Sequence, residues 1–439
     1  MNTRIYNARI LTMDSYETTE NNIPQPVILS GEIQIQDNTI TYVGASDSAP
    51  SLSDLSQKWD REIDAQGNLI LPGFKNAHTH SAMTFLRSYA DDLPLQEWLY
   101  NRVFPMEAKL TEDDVYWCSR LAILEYLTSG ITANFDMYMK NEANAKASVD
   151  SGFRTVLCGS INDFGGTVEE IEQEYLHFND YHELISYELG FHAEYTTCRE
   201  ILEGMAALGQ KHKAPVYTHN SETKAEVEGC KERYGMTPTT FLNSLGMFEY
   251  GGGGFHCVHM TEEDLDICKE KGIWVVTNPA SNVKLASGIA PINKMLEKNI
   301  GLAIGTDGPA SNNCLDMFRE MFLTTALQKV SIPDASALDA NYVLKMATVG
   351  GAGAMQLKDC DVLAAGKKAD LIMLDIHQPN MQPLHAITKN IVYSGSKQNV
   401  KLTMVNGKIL YEDGQFFVGA DPEEIYAKAN ESIRRMISE

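Results

Sequence analysis

The sequence predicts an α/β chain: a (β/α)8 TIM-like barrel with a small β-sandwich domain built from both chain termini. Three observations predict it. Between residues 67 and 365, short strand-like runs alternate with helical patterns; the two ends of the chain share a short-strand texture that the middle lacks; and histidines or an aspartate follow several of the central runs. An open doubly wound sheet is the competing arrangement, but no glycine-rich dinucleotide fingerprint follows the first strand. The expected division is 1–66 with 366–439 as the β-sandwich, and 67–365 as the catalytic barrel.

At the N-terminal end, residues 5–13, 27–29, 31–36 and 39–43 alternate apolar and polar side chains, interrupted by Gly31 and the turn Asp37-Asn38. The C-terminal end repeats this at 369–374, 390–393, 400–405 and 408–411, with Asn406-Gly407 as a hairpin signal. Residues 422–437 then follow a helical apolar period. In between, strands are expected at 69–74, 131–135, 155–159, 188–192, 215–219, 255–259, 273–277 and 302–305. Helices fit 112–128, 167–184, 199–212, 262–271 and 289–298. Eight such units are what a closed parallel barrel needs. The four glycines at 251–254 read as a loose loop at the non-catalytic end, because glycine weakens a strand.

The 439 residues are 44% hydrophobic and 22% charged, enough to bury a large core, and the formal net charge of −23 is spread without blocks. That surface repels polyphosphate, so nucleic acid and anionic membrane are not expected partners, and a small neutral or cationic molecule suits it better. A homo-oligomer is compatible with it. The eight cysteines form no CxxC pair or compact framework, and no apolar run reaches membrane-spanning length. The expectation is a cytoplasmic protein with reduced thiols.

The chemistry concentrates in Asn76-Ala77-His78-Thr79-His80. In a strand, residues i and i+2 share a face, so both imidazoles can reach one ion. His219 and Asp307 follow their own β-like runs, and His78, His80, His219 and Asp307 are the proposed metal ligands. Nitrogen and oxygen donors suit zinc best, with iron or manganese as alternatives. Three histidines and an aspartate leave a position open for water, whose pKa a divalent ion can lower to about 7. Glu222, three residues after His219, can lean back over the site as an acid/base group. His256 is the other active-site candidate, whereas His259 falls on the opposite strand face and reads as a supporting residue. His177, His182, His212, His377 and His385 sit in helical or loop surroundings and read as ordinary histidines. The reaction class that follows is attack of hydroxide on an electrophilic carbon. A protein that binds metal or ligand without turnover is the non-enzymatic competitor.

Six motifs extend this reading: residues 72–80, Leu93-Pro94-Leu95-Gln96-Glu97-Trp98-Leu99, His219-Asn220-Ser221-Glu222-Thr223, His256-Cys257-Val258-His259, Asn278-Pro279-Ala280-Ser281-Asn282 and residues 305–313. In these the chain resembles the amidohydrolase superfamily, and within it the methylthioadenosine/S-adenosylhomocysteine deaminases. The resemblance implies a metal-dependent deaminase of an adenine nucleoside (adenosine, 5′-deoxyadenosine, methylthioadenosine or S-adenosylhomocysteine), with one zinc-type ion per subunit. It implies that Glu222 protonates a ring nitrogen as hydroxide adds to C6, that His256 orients the hydroxide, and that Asp307 passes its proton to the leaving ammonia. It also implies Glu107 as acceptor of the ribose hydroxyls, His192 and the ligand His219 beside the purine, and Trp98 as a wall near the 5′ substituent. Two departures stand out. Cys158-Gly159-Ser160 and Gly165-Gly166-Thr167 offer no arginine where relatives present one to an amino-acid carboxylate, and Glu194 replaces a proline and puts a carboxylate near the pocket rim. The first favours adenosine, 5′-deoxyadenosine or methylthioadenosine. An amidohydrolase acting on a guanine, pterin or chlorotriazine ring is the main alternative.

Overall fold

The computed structural model describes residues 1–18, 23–50 and 58–438. Eight parallel strands form a nearly closed barrel: β1 (Phe74–Thr79), β2 (Ile131–Met137), β3 (Arg154–Cys158), β4 (Ile185–Ala193), β5 (Val216–Asn220), β6 (Gly252–His256), β7 (Ile273–Thr277) and β8 (Leu302–Ile304). Each pairs in parallel with the next. Asn76 stitches the two ends of the ring together: its amide accepts from the Thr306 N–H and donates to the Thr306 hydroxyl, both at 2.8 Å. Inside, Ala77, Phe135, Tyr217, Phe255, Val276 and Ala303 fill the barrel as a solid core. Fully burying side chains of this size is worth about 1.5–3 kcal/mol each.

Most strands run on pattern, since the barrel strands are buried along nearly their whole length, as a sheet covered by helices requires. The helices Glu112–Thr128, Arg199–His212 and Glu262–Lys271 occupy the expected residues. Thr111, Thr167, Thr223 and Thr261 cap their helices through capping boxes, which fixes where each helix begins after its loop.

Three expectations are corrected. Residues 69–74 are not the first barrel strand: Leu69–Pro72 pairs with Asn2–Thr18 and Leu371–Leu374 in the sheet of the termini, and the barrel begins at Phe74. The break falls at Gly73, where a Cβ would sit 2.0 Å from Thr132, so only glycine lets the chain cross between sheets there. Glycines 252–254, expected in a loop, are the body of β6. A Cβ at Gly253 would meet the Tyr217 ring at 2.3 Å, so the missing side chains make room for a large core aromatic. Residues 390–393 belong to the helix Ile387–Tyr393.

The sheet of the termini runs Gln415–Phe416, Lys408–Glu412, Val400–Val405, Leu371–Leu374, Leu69–Pro72, Asn2–Thr18, Pro24–Gln36 and Thr39–Gly44, with Arg61–Asp64 beside Asn2–Thr18. Asn406 (φ 50°) and Gly407 (φ 77°) form the expected turn between two of these strands. Ile5, Ile10, Ile33, Ile70, Leu371 and Leu402 make its core. Arg154 of β3 forks onto Asp370 at 2.7 and 3.0 Å, a buried pair joining this sheet to the barrel. Among the described residues, no helix is long and apolar enough to cross a membrane, and all eight cysteines are free thiols.

Candidate metal centre and nucleoside cleft

At the C-terminal mouth of the barrel, His78, His80, His219 and Asp307 bring one donor atom each to within 4.8 Å of one another. His78 points inward from β1 and is fully buried; His80 lies two residues on, just past the strand end. His219 comes from β5, and Asp307 from the loop after β8, where φ is 58°. The Asp307 amide donates to the carbonyl of His78 at 3.0 Å, pinning the carboxylate beside the ring. Asp307 Oδ1 then lies 3.6 Å from His78 Nε2 and 3.2 Å from His80 Nε2.

The hydrogen bonds around these rings decide which nitrogens face inward. Nδ1 of His80 donates to the Met137 carbonyl at 2.5 Å and Nδ1 of His219 to the His192 carbonyl at 2.7 Å. Both Nε2 atoms are thereby left with lone pairs free for a cation in the space they share with Asp307. Neither nitrogen of His78 has a partner although both are buried. A buried imidazole with two orphaned nitrogens is costly in an ordinary core, and a cation ligated by one of them offsets part of that cost. Burial drives the His78 and His219 imidazoles well below their ordinary pKa, so both are neutral, the state a metal needs. Burial raises and His80 lowers the Asp307 pKa; the imidazoles win and hold it well below the usual carboxylate range. Asp307 Oδ2 accepts from the hydroxyls of Ser281 (2.5 Å) and Ser311 (2.8 Å), while Oδ1, which also accepts the Gly308 N–H at 2.7 Å, faces the centre. The donor set therefore fits a single divalent ion of the zinc type.

His256 and Glu222 stand at the edge of this centre. His256 ends β6 with φ of 71°, and Cys257 follows at 48°. The strand alternation used to separate His256 from His259 thus stops at His256 itself. Its Nδ1 donates to Asn282 Oδ1 at 2.7 Å, which leaves Nε2 as an acceptor 4.0 Å from Glu222 Oε2. Glu222 Oε1 accepts from the Ser287 hydroxyl at 3.0 Å, and His259 Nε2 braces the same loop by donating to the Ser287 carbonyl at 2.8 Å. His259 is thus a supporting residue, as expected.

The centre forms the floor of a cleft whose walls include Trp98, Glu107, Tyr138, His192 and Glu222. Glu107 accepts from the Tyr138 hydroxyl at 2.7 Å through Oε1, and burial raises its pKa. His192 Nδ1 donates to Thr196 at 2.8 Å, and Thr196 in turn donates to the Ala193 carbonyl at 3.2 Å. The His192 Nε2 is therefore an acceptor, and burial lowers this ring's pKa to about 4, keeping it neutral. A side groove continues from the cleft past Ser160, Gly165 and Gly166. Its walls hold no arginine among the described residues; Lys140 is the basic side chain there, opposite Glu170 and Glu174. Glu194, expected near the rim, is instead buried against Arg233 at 2.6 Å. Burying the carboxylate demands a partner, and the helix Lys224–Tyr234 supplies that guanidinium.

Several residues that matter here had no role assigned from sequence. Ser281, Asn282 and Ser311 lay inside motifs already singled out, and their position just past strand ends was the available signal. Tyr138 and Ser287 carried none.

Known proteins share this architecture. The amidohydrolase family model matches residues 69–410. A 5-methylthioadenosine/S-adenosylhomocysteine deaminase of Pelotomaculum thermopropionicum is 38% identical, covering 100% of this chain and 99% of that one. One from Moorella thermoacetica is 40% identical over 94% and 97%. Among solved structures, an adenosine deaminase from Xanthomonas campestris with bound zinc superposes with a TM-score of 0.91 at 30% identity, covering 100% and 99%. An atrazine chlorohydrolase from Arthrobacter aurescens complexed with zinc reaches 0.86 at 23% identity over 98% and 100%, a likeness of fold.

Proposed function

The chain belongs to the amidohydrolase family, and from that premise we propose that it is a metal-dependent hydrolytic deaminase of adenine nucleosides. The product is the inosine analogue, with release of ammonia. The observation that carries this reading is the union of two sites in one cleft: a three-histidine, one-aspartate centre, and a half-buried carboxylate, Glu107, in the cleft wall.

His78, His80, His219 and Asp307 would hold one divalent ion, taken as zinc. When bound, that ion supplies a water acidified toward neutrality. His256 Nε2, fixed as an acceptor by Asn282, orients this nucleophile toward C6 of the purine. Glu222 protonates the adjacent ring nitrogen, so that electrons from the attacked C=N bond have somewhere to go. The Asp307 carboxylate accepts the proton of the nucleophile and returns it to the departing amine. Its second oxygen, held by Ser281 and Ser311, keeps the carboxylate from swinging away.

Glu107 accepts the vicinal ribose hydroxyls through the oxygen that Tyr138 leaves open, and His192 meets the base with Nε2. Trp98 closes the cleft near the 5′ carbon. The side groove receives the 5′ substituent. Lacking the fork of an arginine, it favours adenosine, 5′-deoxyadenosine or methylthioadenosine over S-adenosylhomocysteine. The test is ammonia release from these four compounds and guanine by zinc-replete protein. Turnover of an adenine nucleoside and none of guanine supports the reading; preference for guanine overturns it.

A further inference from the structure

We propose that Glu226 is a positioning residue for the reaction, setting the aim of Glu222 by gripping the backbone that carries it. The proposal rests on the deaminase reading and goes beyond it by naming a residue that touches no substrate.

Glu226 is buried, 5% exposed, in the first turn of the helix Lys224–Tyr234. The capping box explains only part of its contacts: its amide donates to Thr223 Oγ1 at 3.2 Å, and an Oε2 accepts from the Thr223 N–H at 3.4 Å. The two shorter bonds go further back along the chain. Oε1 accepts from the Ser221 N–H at 2.7 Å, and Oε2 from the Glu222 N–H at 2.8 Å. One carboxylate thus holds three consecutive amides, Ser221 to Thr223, which begin two residues after the metal ligand His219.

The grip falls where the backbone needs it. Ser221 has φ of 51°, a left-handed conformation unfavourable for a residue with a side chain. Such a residue keeps that conformation only when its surroundings impose it. On its other side, the Ser221 carbonyl accepts from Val258 (3.1 Å) and His259 (2.9 Å), which directly follow the left-handed pair His256 and Cys257. Ser221 is therefore a node: Glu226 holds its N–H, and the chain after β6 holds its C=O. Through this node Glu222 and His256 are set against each other at 4.0 Å. Rotating the 221–222 peptide would swing Glu222 off the purine ring without moving His219. A misplacement of about 1 Å in a reacting group can cost about 100-fold in rate.

The test is a double-substitution cycle read by ammonia release, with zinc content and thermal melting measured on each protein. Glu226→Gln keeps the size but turns one acceptor into a donor facing the amides. It is expected to lower kcat about 100-fold, with KM for the nucleoside and zinc content unchanged. In the Glu222→Gln background the same change should lower the residual rate less than about 2-fold, because the aim of an absent acid no longer matters. If Glu226→Gln does not fold, Glu226→Asp, which keeps the charge but withdraws the oxygens, takes its place in the cycle. A loss of equal size in both backgrounds, or none in either, overturns the positioning role and leaves the deaminase reading intact. A wild-type enzyme inert toward every adenine nucleoside overturns both.

Discussion

Ser281 donates its hydroxyl to Oδ2 of Asp307 at 2.5 Å, tying the short helix Pro279–Lys284 after β7 to the metal ligand after β8. Ser311 makes the second bond to the same oxygen. Groups that orient a metal ligand from behind typically change affinity about 10–100-fold when removed. Ser281→Ala is expected to weaken zinc binding within that range, read by competition with a chelator, while the melting temperature of the zinc-loaded protein changes little. Unchanged affinity would mean that Asp307 needs no such support.

Metal removal should destabilise the protein as well as silence it. His78 has two buried nitrogens without partners, and an ion that binds only the folded state adds to stability by mass action. Dialysis against a chelator should lower the melting temperature, and zinc should restore it. In His78→Ala the melting temperature should no longer respond to zinc.

Glu107 is expected to read the ribose. Charge-assisted hydrogen bonds are worth about 1.5–3 kcal/mol, so Glu107→Ala should lower kcat/KM for methylthioadenosine by about 10- to 150-fold. With 2′,3′-dideoxyadenosine, which offers no vicinal hydroxyls, the substitution should have little effect. Equal losses on both substrates would remove Glu107 from sugar recognition.

Stability should depend on pH through Glu320. This fully buried carboxyl accepts from the Ala280 N–H (3.0 Å) and from Asn312 (2.8 Å), and burial pushes its pKa up to about 8. A carboxyl whose folded pKa lies above its unfolded value binds more protons when folded. Its contribution is therefore fully present below about 4.5 and is lost as pH rises through about 8, on the order of 3–5 kcal/mol in all. Glu320→Gln, which mimics the protonated acid, should remove much of the decline in unfolding free energy between pH 6 and 9. Parallel pH profiles of the two proteins would contradict this.

The ligands were legible in the sequence because their signal is geometric: alternate histidines on one strand must share a face, whatever surrounds them. His219 and Asp307 followed because barrel strands bring their ends together. The start of the barrel was not legible. Residues 69–74 form an unbroken apolar run, and only the close approach of Thr132 shows why the chain changes sheets at Gly73. The glycines of β6 misled for the same reason, since the Tyr217 ring that fills their space is distant in sequence. Glu226, Ser281 and Glu320 were silent because a carboxylate or hydroxyl near a helix start is ordinary. What sets them apart is the partner they meet across the fold.

The most direct measurement is the anomalous signal at the zinc edge from crystals of the zinc-loaded protein. One peak is expected, bonded to the His78 imidazole, Nε2 of His80 and of His219, and Oδ1 of Asp307. A peak held by other residues, or no peak at these four from active protein, would contradict the account.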